Sequence, residues 1–215
     1  MNKMNVTVIN YGIGNLLSVI RGFENCNVKT ILSSDPEIIL SSDRVVLPGV
    51  GAFSNGMDEL KKRNLIPVIK ELANQKIPIL GICLGMQLLL EESEEFGLTS
   101  GLGLIPGRVV PILPQISKKK ESTIPHIGWN ALHFNDSINN SRYKLSEYIN
   151  DGDEVYFVHS FMASINYTKN CIAFCRYGGL SIPAIIAKDK IMGCQFHPEK
   201  SGEIGTKIIQ SFLSL

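Results

Sequence analysis

The sequence predicts an α/β protein with a doubly wound, mostly parallel sheet flanked by helices, and an additional β-rich portion in the C-terminal half. Strands alternate with helical segments through the first half of the chain, whereas the second half is mainly strand-like. Apolar residues make up 44% of the 215 residues and charged residues 19%. Alternating strands and helices are typical of a parallel sheet covered on both faces, which requires such an apolar core.

The first half contains four apolar strands, each followed by a helical pattern. In chain order we predict strand 6–10 and helix 15–24, strand 28–32 and a short helix from Pro36, strand 45–47 and helices 57–63 and 66–74, and strand 78–82 and helix 84–92. Ligands of such sheets bind at the carboxyl ends of the strands. We therefore expect the functional site in the loops that follow these strands.

The second half contains further strands and one closing helix. The predicted strands are 107–112, 129–134, 154–161, 171–177, 184–188 and 191–196, and an amphipathic helix follows at 202–213. The length favours one domain spanning residues 1–215.

The most informative motif is Gly81-Ile82-Cys83-Leu84-Gly85, between an apolar strand and a helix. A nucleophile on a sharp strand-to-helix turn has a strained backbone, and its neighbours two residues away leave no room for a Cβ atom. The positive end of the following helix favours the thiolate form of the cysteine. Taken alone, Cys83 is equally well explained as a small buried hydrophobic residue.

A base and an orienting carboxylate for this sulfur occur near the C-terminus, in Gln195-Phe196-His197-Pro198-Glu199. Residues two apart in an extended chain project to the same face, so His197 and Glu199 should lie side by side. Cys83, His197 and Glu199 then form a nucleophile, a base and its orienting group. A zinc site built from Cys194 and this pair matches no known ligand spacing. We expect His126 and His159 to be hydrogen-bonded residues of loops or strand ends.

Acyl transfer also needs hydrogen-bond donors for the developing oxyanion. The loop Pro48-Gly49-Val50-Gly51 follows the third strand and offers main-chain N–H groups beside two residues without a Cβ atom. An ordinary strand-to-helix turn explains this loop equally well when it is considered alone. Gln87 lies one helical turn after Cys83, where its amide reaches either the substrate or the solvent-exposed helix surface.

Together these motifs resemble the class I glutamine amidotransferases, and within them the family of glutaminase subunits of imidazole glycerol phosphate synthases. The resemblance extends over nearly the whole chain. The motifs that carry it are Tyr11-Gly12-Ile13-Gly14-Asn15, Leu47-Pro48-Gly49-Val50-Gly51-Ala52-Phe53, Gly81-Ile82-Cys83-Leu84-Gly85-Met86-Gln87, Pro125-His126-Ile127-Gly128-Trp129-Asn130, Tyr156-Phe157-Val158-His159-Ser160 and Gln195-Phe196-His197-Pro198-Glu199-Lys200-Ser201.

The resemblance implies hydrolysis of L-glutamine to glutamate and ammonia through a thioester on Cys83, with His197 as acid and base and Glu199 orienting it. It implies a class I glutamine amidotransferase fold and no metal or other cofactor. The implied oxyanion donors belong to Gly49, Val50, Gly51 and Leu84. The implied glutamine-binding residues are Gln87, His159, Ser160 and Phe161.

The resemblance also implies a heterodimer with a (β/α)8-barrel synthase subunit. This partner would use the ammonia to make imidazole glycerol phosphate and aminoimidazole carboxamide ribotide in histidine biosynthesis. Asn15, Trp129 and Lys200 match family positions near the interface between the two subunits. We expect the free chain to be nearly inactive, because the loop at Gly49 to Gly51 needs the partner to turn an N–H group inward.

One departure and several alternatives remain. Phe161 stands where the family often has Tyr, a mild change if this position acts through its backbone. The glutaminase motifs fit equally a paralogue that supplies ammonia for a sugar of a bacterial surface polysaccharide, because the acceptor binds to the other subunit. A stand-alone cysteine amide hydrolase would turn over without a partner. A silent scaffold subunit would not need the complete triad.

Composition narrows the remaining function classes. A net charge of +1 gives no indication of nucleic-acid binding, and Lys118-Lys119-Lys120 is expected to be a solvated loop. The sequence has no long apolar run and no signal-peptide core, and its five cysteines lack a disulfide framework, so we expect a cytoplasmic protein with no membrane partner. The Gly12-Ile13-Gly14 turn is not a dinucleotide fingerprint, because Leu17 replaces its third glycine.

Overall fold

The fold is organised around an eight-stranded mixed sheet. The structure is a computed structural model that describes residues 4–115, 123–135 and 145–215. The strands are β1 Asn5–Ile9, β2 Lys29–Ser33, β3 Arg44–Leu47, β4 Ile79–Ile82, β5 Glu92–Ser93, β6 Thr99–Ser100, β7 Arg108–Pro111, β8 His126–Ala131, β9 His133–Phe134, β10 Glu154–His159, β11 Phe161–Ser164, β12 Cys171–Tyr177, β13 Leu180–Lys188 and β14 Ile191–Cys194. The helices are α1 Leu16–Glu24, α2 Pro36–Leu40, α3 Phe53–Lys62, α4 Leu65–Asn74, α5 Leu84–Leu88, α6 Leu145–Tyr148, α7 Tyr167–Asn170 and α8 Gly202–Leu213. The loop predicted at Lys118–Lys120 lies outside the described residues.

The order of strands in the central sheet is β2-β1-β3-β4-β14-β13-β12-β9. The five strands from β2 to β14 pair in parallel, and the remaining three pair antiparallel. A two-stranded sheet of β8 and β10 and a four-stranded sheet of β11, β7, β5 and β6 complete the molecule. This arrangement confirms the predicted parallel sheet with an additional β-rich portion.

The central sheet is buried on both faces, as the near-continuous apolar strands predict. In β3, Val46 belongs to the hydrophobic cluster that contains Phe23 of α1 and Phe212 of α8. Its neighbours Val45 and Leu47 belong to the cluster of the opposite face, formed with α3, α4 and α5. The alternation follows from the two-residue period of a strand.

Three adjacent strands end at the same edge and thereby define the site. Leu47 of β3 is in register with Gly81 of β4, and Ile82 of β4 is in register with Cys194 of β14. Because these strands are parallel, the segments that follow them emerge side by side. These segments are the loop after Leu47, the turn at Cys83 and the stretch from Gln195 onward.

Some element boundaries differ from the prediction. Helix α5 ends at Leu88 rather than at residue 92, because the carbonyl groups of Leu88 and Leu90 accept the amides of Leu102 and Gly103 at 2.9 and 3.0 Å instead of continuing the helix. The predicted strand 129–134 is two strands, since β8 pairs with β10 whereas β9 pairs with β12. None of the helices in the described part of the chain has the length and apolarity needed to cross a membrane.

Candidate active site

Cys83 occupies a strained turn between β4 and α5. Its φ of 53° and ψ of −109° lie in a region that residues with a side chain rarely adopt. Its amide donates to the carbonyl of Cys194 at 2.7 Å, which ties the turn to β14. A Cβ atom on Gly85 would lie 1.8 Å from the carbonyl oxygen of Leu47, and one on Gly81 would lie 2.7 Å from that of Gly85. The expected elbow geometry, with glycines on both sides of the cysteine, is therefore present.

His197 and Glu199 form a buried pair directly after β14. Nδ1 of His197 lies 2.7 Å from Oε1 of Glu199, and the two side chains are 4% and 1% exposed. Since the carboxylate accepts the proton of Nδ1, it leaves Nε2 as the nitrogen that can exchange a proton with another group. Nε2 is buried without a hydrogen-bond partner among the described residues.

Electrostatics favour a charged imidazole in this pair. Burial alone lowers the pKa of His197, but interactions with Cys83 and with Glu199 outweigh it and raise the pKa to about 9. An imidazolium at neutral pH stabilises a thiolate beside it. The arrangement therefore places a charged imidazole in the cavity that also contains Cys83.

Most of the predicted catalytic, oxyanion and glutamine-binding residues, though not Gly49 or Glu199, line one cavity of about 380 Å³, a size that suits a small ligand. Nine of its lining residues were predicted from the sequence: Val50, Gly51, Cys83, Leu84, Gln87, His159, Ser160, Phe161 and His197. Three others line it without having been predicted: Glu95, Phe96 and Val158. The cavity thus combines the candidate nucleophile, the candidate base and the candidate glutamine-binding residues.

In this conformation the loop at Gly49 occupies one of the amides expected to stabilise the oxyanion. The carbonyl oxygen of Gly49 accepts the amide of Leu84 at 3.3 Å. Tyr11 is fully buried beneath this loop and donates its hydroxyl hydrogen to the carbonyl of Pro48 at 2.6 Å. A Cβ atom on Gly49 would lie 2.5 Å from that hydroxyl oxygen, so the close packing excludes a side chain there. One of the expected donors, Leu84, is therefore occupied in this conformation.

Gln87 is buried at the cavity and does not lie on a solvent-exposed helix surface. Its Nε2 donates to the carbonyl of Phe161 at 3.2 Å and to Oε1 of Gln195 at 3.0 Å. Phe161 therefore contributes its backbone to these contacts, and the replacement of the more usual Tyr leaves them intact.

Gln195 was not predicted as a site residue, although it lies beside the sulfur. Its Nε2 is 4.0 Å from Sγ of Cys83, and the carbonyl of Val158 is 3.8 Å from the same sulfur. Gln195 precedes His197 by two residues and so shares its face in an extended chain. That spacing marks Gln195 only as a neighbour of the candidate base, whereas its contact with Cys83 depends on β4 and β14 being adjacent.

The three residues expected at a subunit interface lie outside the cavity and are exposed. They are Asn15 before α1, Trp129 on β8 and Lys200 at the end of the turn that carries Glu199. Trp129 is 55% exposed, and its ring meets the ring of Tyr156 edge-on with 6.1 Å between ring centroids. The carbonyl of Tyr156 in turn accepts the amide of His197 at 3.0 Å, which links this surface to the site.

Comparison with known proteins agrees with this geometry. The sequence model of the family "Glutamine amidotransferase class-I" matches residues 7–214. The chain is 47% identical to imidazole glycerol phosphate synthase subunit HisH of Lactococcus lactis over 208 residues, which cover 97% of each chain. It is also 47% identical to subunit HisH 1 of Legionella pneumophila (strain Lens), over 98% of this chain and 99% of that one.

Solved structures show the same fold at low sequence identity. A crystal structure of a glutamine amidotransferase superposes with a TM-score of 0.72 at 13% identity, with 97% of each chain covered. The glutaminase domain of Trypanosoma brucei CTPS with bound acivicin gives a TM-score of 0.65 at 15% identity, covering 98% of this chain and 94% of that one. The chain therefore belongs to the class I glutamine amidotransferases, and within them to the family of the HisH subunits of imidazole glycerol phosphate synthase.

Proposed function

We propose that this chain, acting as one domain over residues 1–215, is the glutaminase subunit of an imidazole glycerol phosphate synthase of histidine biosynthesis in the cytoplasm. The observation that supports this most strongly is the position of Cys83. The residue adopts the strained elbow conformation in the same cavity as His197, whose other ring nitrogen is held by Glu199.

In the proposed reaction, Nε2 of His197 takes the proton of the Cys83 thiol. The sulfur attacks the side-chain carboxamide carbon of L-glutamine and forms a C–S bond. The tetrahedral intermediate collapses, the C–N bond breaks, and His197 returns its proton to the leaving ammonia. His197 then deprotonates a water molecule that attacks the thioester, and the C–S bond breaks to release glutamate and the thiol. Glu199 orients the imidazole and stabilises its charged form throughout.

The tetrahedral intermediate carries a negative oxygen that needs donors. The amide of Leu84, directly after Cys83, is one candidate donor, but it already donates to the carbonyl oxygen of Gly49. A rotation of the Gly49–Val50 peptide plane removes that carbonyl and turns the amide of Val50 toward the cavity. This rotation would supply two donors at once, and Gly51, with its φ of 100°, allows the adjoining backbone to follow.

The glutamine substrate would be held by groups on the opposite wall of the cavity. Gln87 directs its Nε2 toward Phe161 and Gln195, so its carbonyl oxygen remains available to accept a hydrogen bond from the ligand. We assign Ser160 and the main chain of Phe161 to the same wall, together with His159.

The proposed partner is a (β/α)8-barrel synthase subunit that receives the ammonia through an interior passage rather than from solvent. We assign Asn15, Trp129 and Lys200 to this interface. The names of the similar Lactococcus and Legionella proteins favour an imidazole glycerol phosphate synthase over a surface-polysaccharide enzyme or a stand-alone hydrolase.

The decisive experiment measures glutamate formation by the purified chain alone, and then with a barrel subunit and its nucleotide ligand. We expect little turnover alone and a large increase in the complex. Cys83→Ala should abolish glutamine-dependent product formation, whereas the same complex supplied with ammonium salts should keep its synthase activity. Glutamine-dependent activity in Cys83→Ala would exclude Cys83 as the nucleophile, and fast turnover by the chain alone would exclude dependence on a partner.

A further inference from the structure

A series of hydrogen bonds connects the exposed strand β8 with the reactive sulfur. Nδ2 of Asn130 lies 3.4 Å from Nε2 of His126, and Nδ1 of His126 lies 2.9 Å from Nε2 of His159. Nδ1 of His159 lies 2.8 Å from the carbonyl oxygen of Phe161. That oxygen also accepts Nε2 of Gln87. We call this series, continued through Gln195 to Cys83, the amide–imidazole chain.

The direction of every bond in the histidine part is fixed by its two ends. A carbonyl oxygen only accepts, so Nδ1 of His159 carries the proton and its Nε2 accepts. Nδ1 of His126 must then donate, and its Nε2 accepts from the amide of Asn130. One tautomer of each histidine satisfies all three contacts, with both rings neutral.

Burial keeps both rings neutral. It lowers the pKa of His126 to about 4 and is also the main cause that lowers the pKa of His159 to about 3. The neighbouring His126 and His197 lower the pKa of His159 further, against the effect of the Phe161 carbonyl. A neutral His159 adds no positive charge beside His197, which leaves the charged state of the site to the catalytic pair.

The amide part of the chain determines which atom of Gln195 faces the sulfur. Nε2 of Gln87 donates to Oε1 of Gln195 at 3.0 Å, so the oxygen of Gln195 is committed to that contact. Its Nε2 therefore points to Sγ of Cys83, 4.0 Å away. Gln195 is completely buried, which restricts its side chain to this arrangement.

The two neutral groups near the sulfur favour opposite protonation states. The carbonyl of Val158, 3.8 Å away, can only accept and so favours the thiol. The N–H group of Gln195 can only donate and so favours the thiolate, because hydrogen bonds to an ionised acceptor are the stronger ones.

We propose that Gln195 is a further catalytic residue that donates a hydrogen bond to the ionised sulfur of Cys83, and that His126 is a positioning residue that holds the wall of Phe161 and Gln87 from which Gln195 takes its orientation. The proposal deepens the proposed function, since it concerns the same nucleophile. Its first consequence concerns the thiolate alone and needs neither glutamine nor a partner.

The first test measures alkylation of Cys83 by iodoacetamide as a function of pH, with mass spectrometry to identify the modified cysteine. Gln195→Met removes the donor at similar length, and Gln195→Glu keeps the acceptor but places a carboxylate near the sulfur. We expect Gln195→Met to slow alkylation at pH 7 by about five- to tenfold and to raise the apparent pKa, with a larger effect for Gln195→Glu. The half-buried Cys26 takes no part in the amide–imidazole chain, so it should be alkylated at the same rate in all variants.

Unchanged alkylation of Cys83 in Gln195→Met would overturn the role of Gln195. Circular dichroism confirms folding before each measurement, and Gln195→Leu, which also removes the donor without adding a charge, replaces Gln195→Met if that variant does not fold. The result is independent of the proposed function. Cys83→Ala with persistent glutamine-dependent turnover would refute that function while leaving the thiolate measurement valid.

The second test uses two substitutions of His126 that separate hydrogen bonding from packing. The ring of His126 stacks between Tyr177 at 3.9 Å and Phe157 at 4.9 Å. His126→Phe keeps a stacking ring but has no donor for His159. His126→Asn loses the ring but keeps an N–H group close to the position of Nδ1.

In the assembled synthase we expect His126→Phe to raise the KM for glutamine by about tenfold and His126→Asn to stay within about threefold of the original chain. Ammonium-dependent activity should be the same in both variants, since it bypasses this site. If His126→Phe has a lower KM for glutamine than His126→Asn, the residue acts through packing and the positioning role is wrong.

Discussion

The amide of Leu84 donates to the carbonyl oxygen of Gly49 across 3.3 Å, so the turn that presents the candidate nucleophile has its nearest oxyanion donor already engaged. In the same conformation His197 and Glu199 are paired at 2.7 Å, and His197 lines the cavity that contains Cys83. The candidate nucleophile and candidate base thus share one cavity while the Leu84 amide is engaged by Gly49. A partner that changes only the loop at Gly49 could therefore switch on hydrolysis.

A substitution at Gly49 should impair this switch. A Cβ atom there would lie 2.5 Å from the Tyr11 hydroxyl oxygen and 3.0 Å from Cβ of Leu84, which obstructs rotation of the peptide. We expect Gly49→Ala to lower glutamine-dependent activity of the complex by about a hundredfold, comparable to the loss of an oxyanion donor. The measurement is the steady-state rate with glutamine, compared with the rate with ammonium salts, which should not change.

Gly152 provides the control for this substitution, because it lies in a turn where a Cβ atom would have no described atom within 4 Å. Gly152→Ala should keep full glutamine-dependent activity, even though its φ of 94° makes the substitution cost about 1 kcal/mol of stability. An active Gly49→Ala complex would show that the peptide does not need to move.

Removal of the Glu199 charge should reduce both proton transfer and the charged state of His197. Glu199→Gln keeps the shape of this side chain but removes a carboxylate that raises the pKa of the imidazole. We expect the pKa of His197, followed by NMR, to fall below about 9 and the glutaminase rate to fall by about a thousandfold. Glu203→Gln on the exposed side of α8 should change neither quantity. An unchanged rate in Glu199→Gln would remove this residue from the triad.

The neutral histidines should make the fold sensitive to acid. Their ordinary pKa is about 6.5 in the unfolded chain, whereas burial lowers it to about 4 for His126 and to about 3 for His159 in the fold. The unfolded state therefore binds more protons in this range, and stability rises with pH. The contribution is complete above about pH 6.5 and is lost progressively as pH falls from there to the folded-state values.

Urea denaturation at pH 7 and pH 5 tests this dependence. The chain should lose stability at pH 5, and His126→Phe should lose less between the two pH values because one of the two titrating groups is absent. An equal loss in both proteins would mean that the ring of His126 is protonated in the fold.

The exposed surface around Trp129 should contribute to binding of the barrel subunit. Large exposed aromatic residues dominate many protein interfaces, and this ring is 55% exposed. We expect Trp129→Ala to weaken association by about tenfold or more while the chain stays folded. Calorimetric titration with the barrel subunit measures the effect. Ile38→Ala, which removes a half-exposed apolar side chain from α2, should bind normally, and equal affinities for both variants would place the interface elsewhere.

The sequence predicts the site well wherever backbone geometry restricts the choice of residue. Gly81 and Gly85 indicated the elbow because a Cβ atom at either position collides with the main chain, and the structure shows both collisions. The spacing of His197 and Glu199 also indicated their pairing, but the expected extended chain was wrong, because Glu199 lies in the 3-10 turn Pro198–Lys200 and reaches His197 from there.

Features that depend on tertiary contacts were not predictable in the same way. Helix α5 ends early because the segment at Leu102 takes its carbonyl groups, and nothing in the local pattern signals this competition. The contact between Gln195 and Cys83 joins residues 112 positions apart, and it becomes visible only when β4 and β14 are known to be neighbours. The occupied amide of Leu84 similarly depends on the conformation of a loop that its glycines allow to vary.

Acid quenching of the working complex tests whether Cys83 forms a covalent intermediate with glutamine. The complex is mixed with radiolabelled L-glutamine, denatured in acid during turnover and digested for mass spectrometry. A γ-glutamyl adduct should appear on the peptide that contains Cys83 and should be absent in Cys83→Ala. Cys83 would not be the nucleophile if the adduct formed on another residue. The same would follow if turnover continued without any adduct under conditions in which deacylation limits the rate.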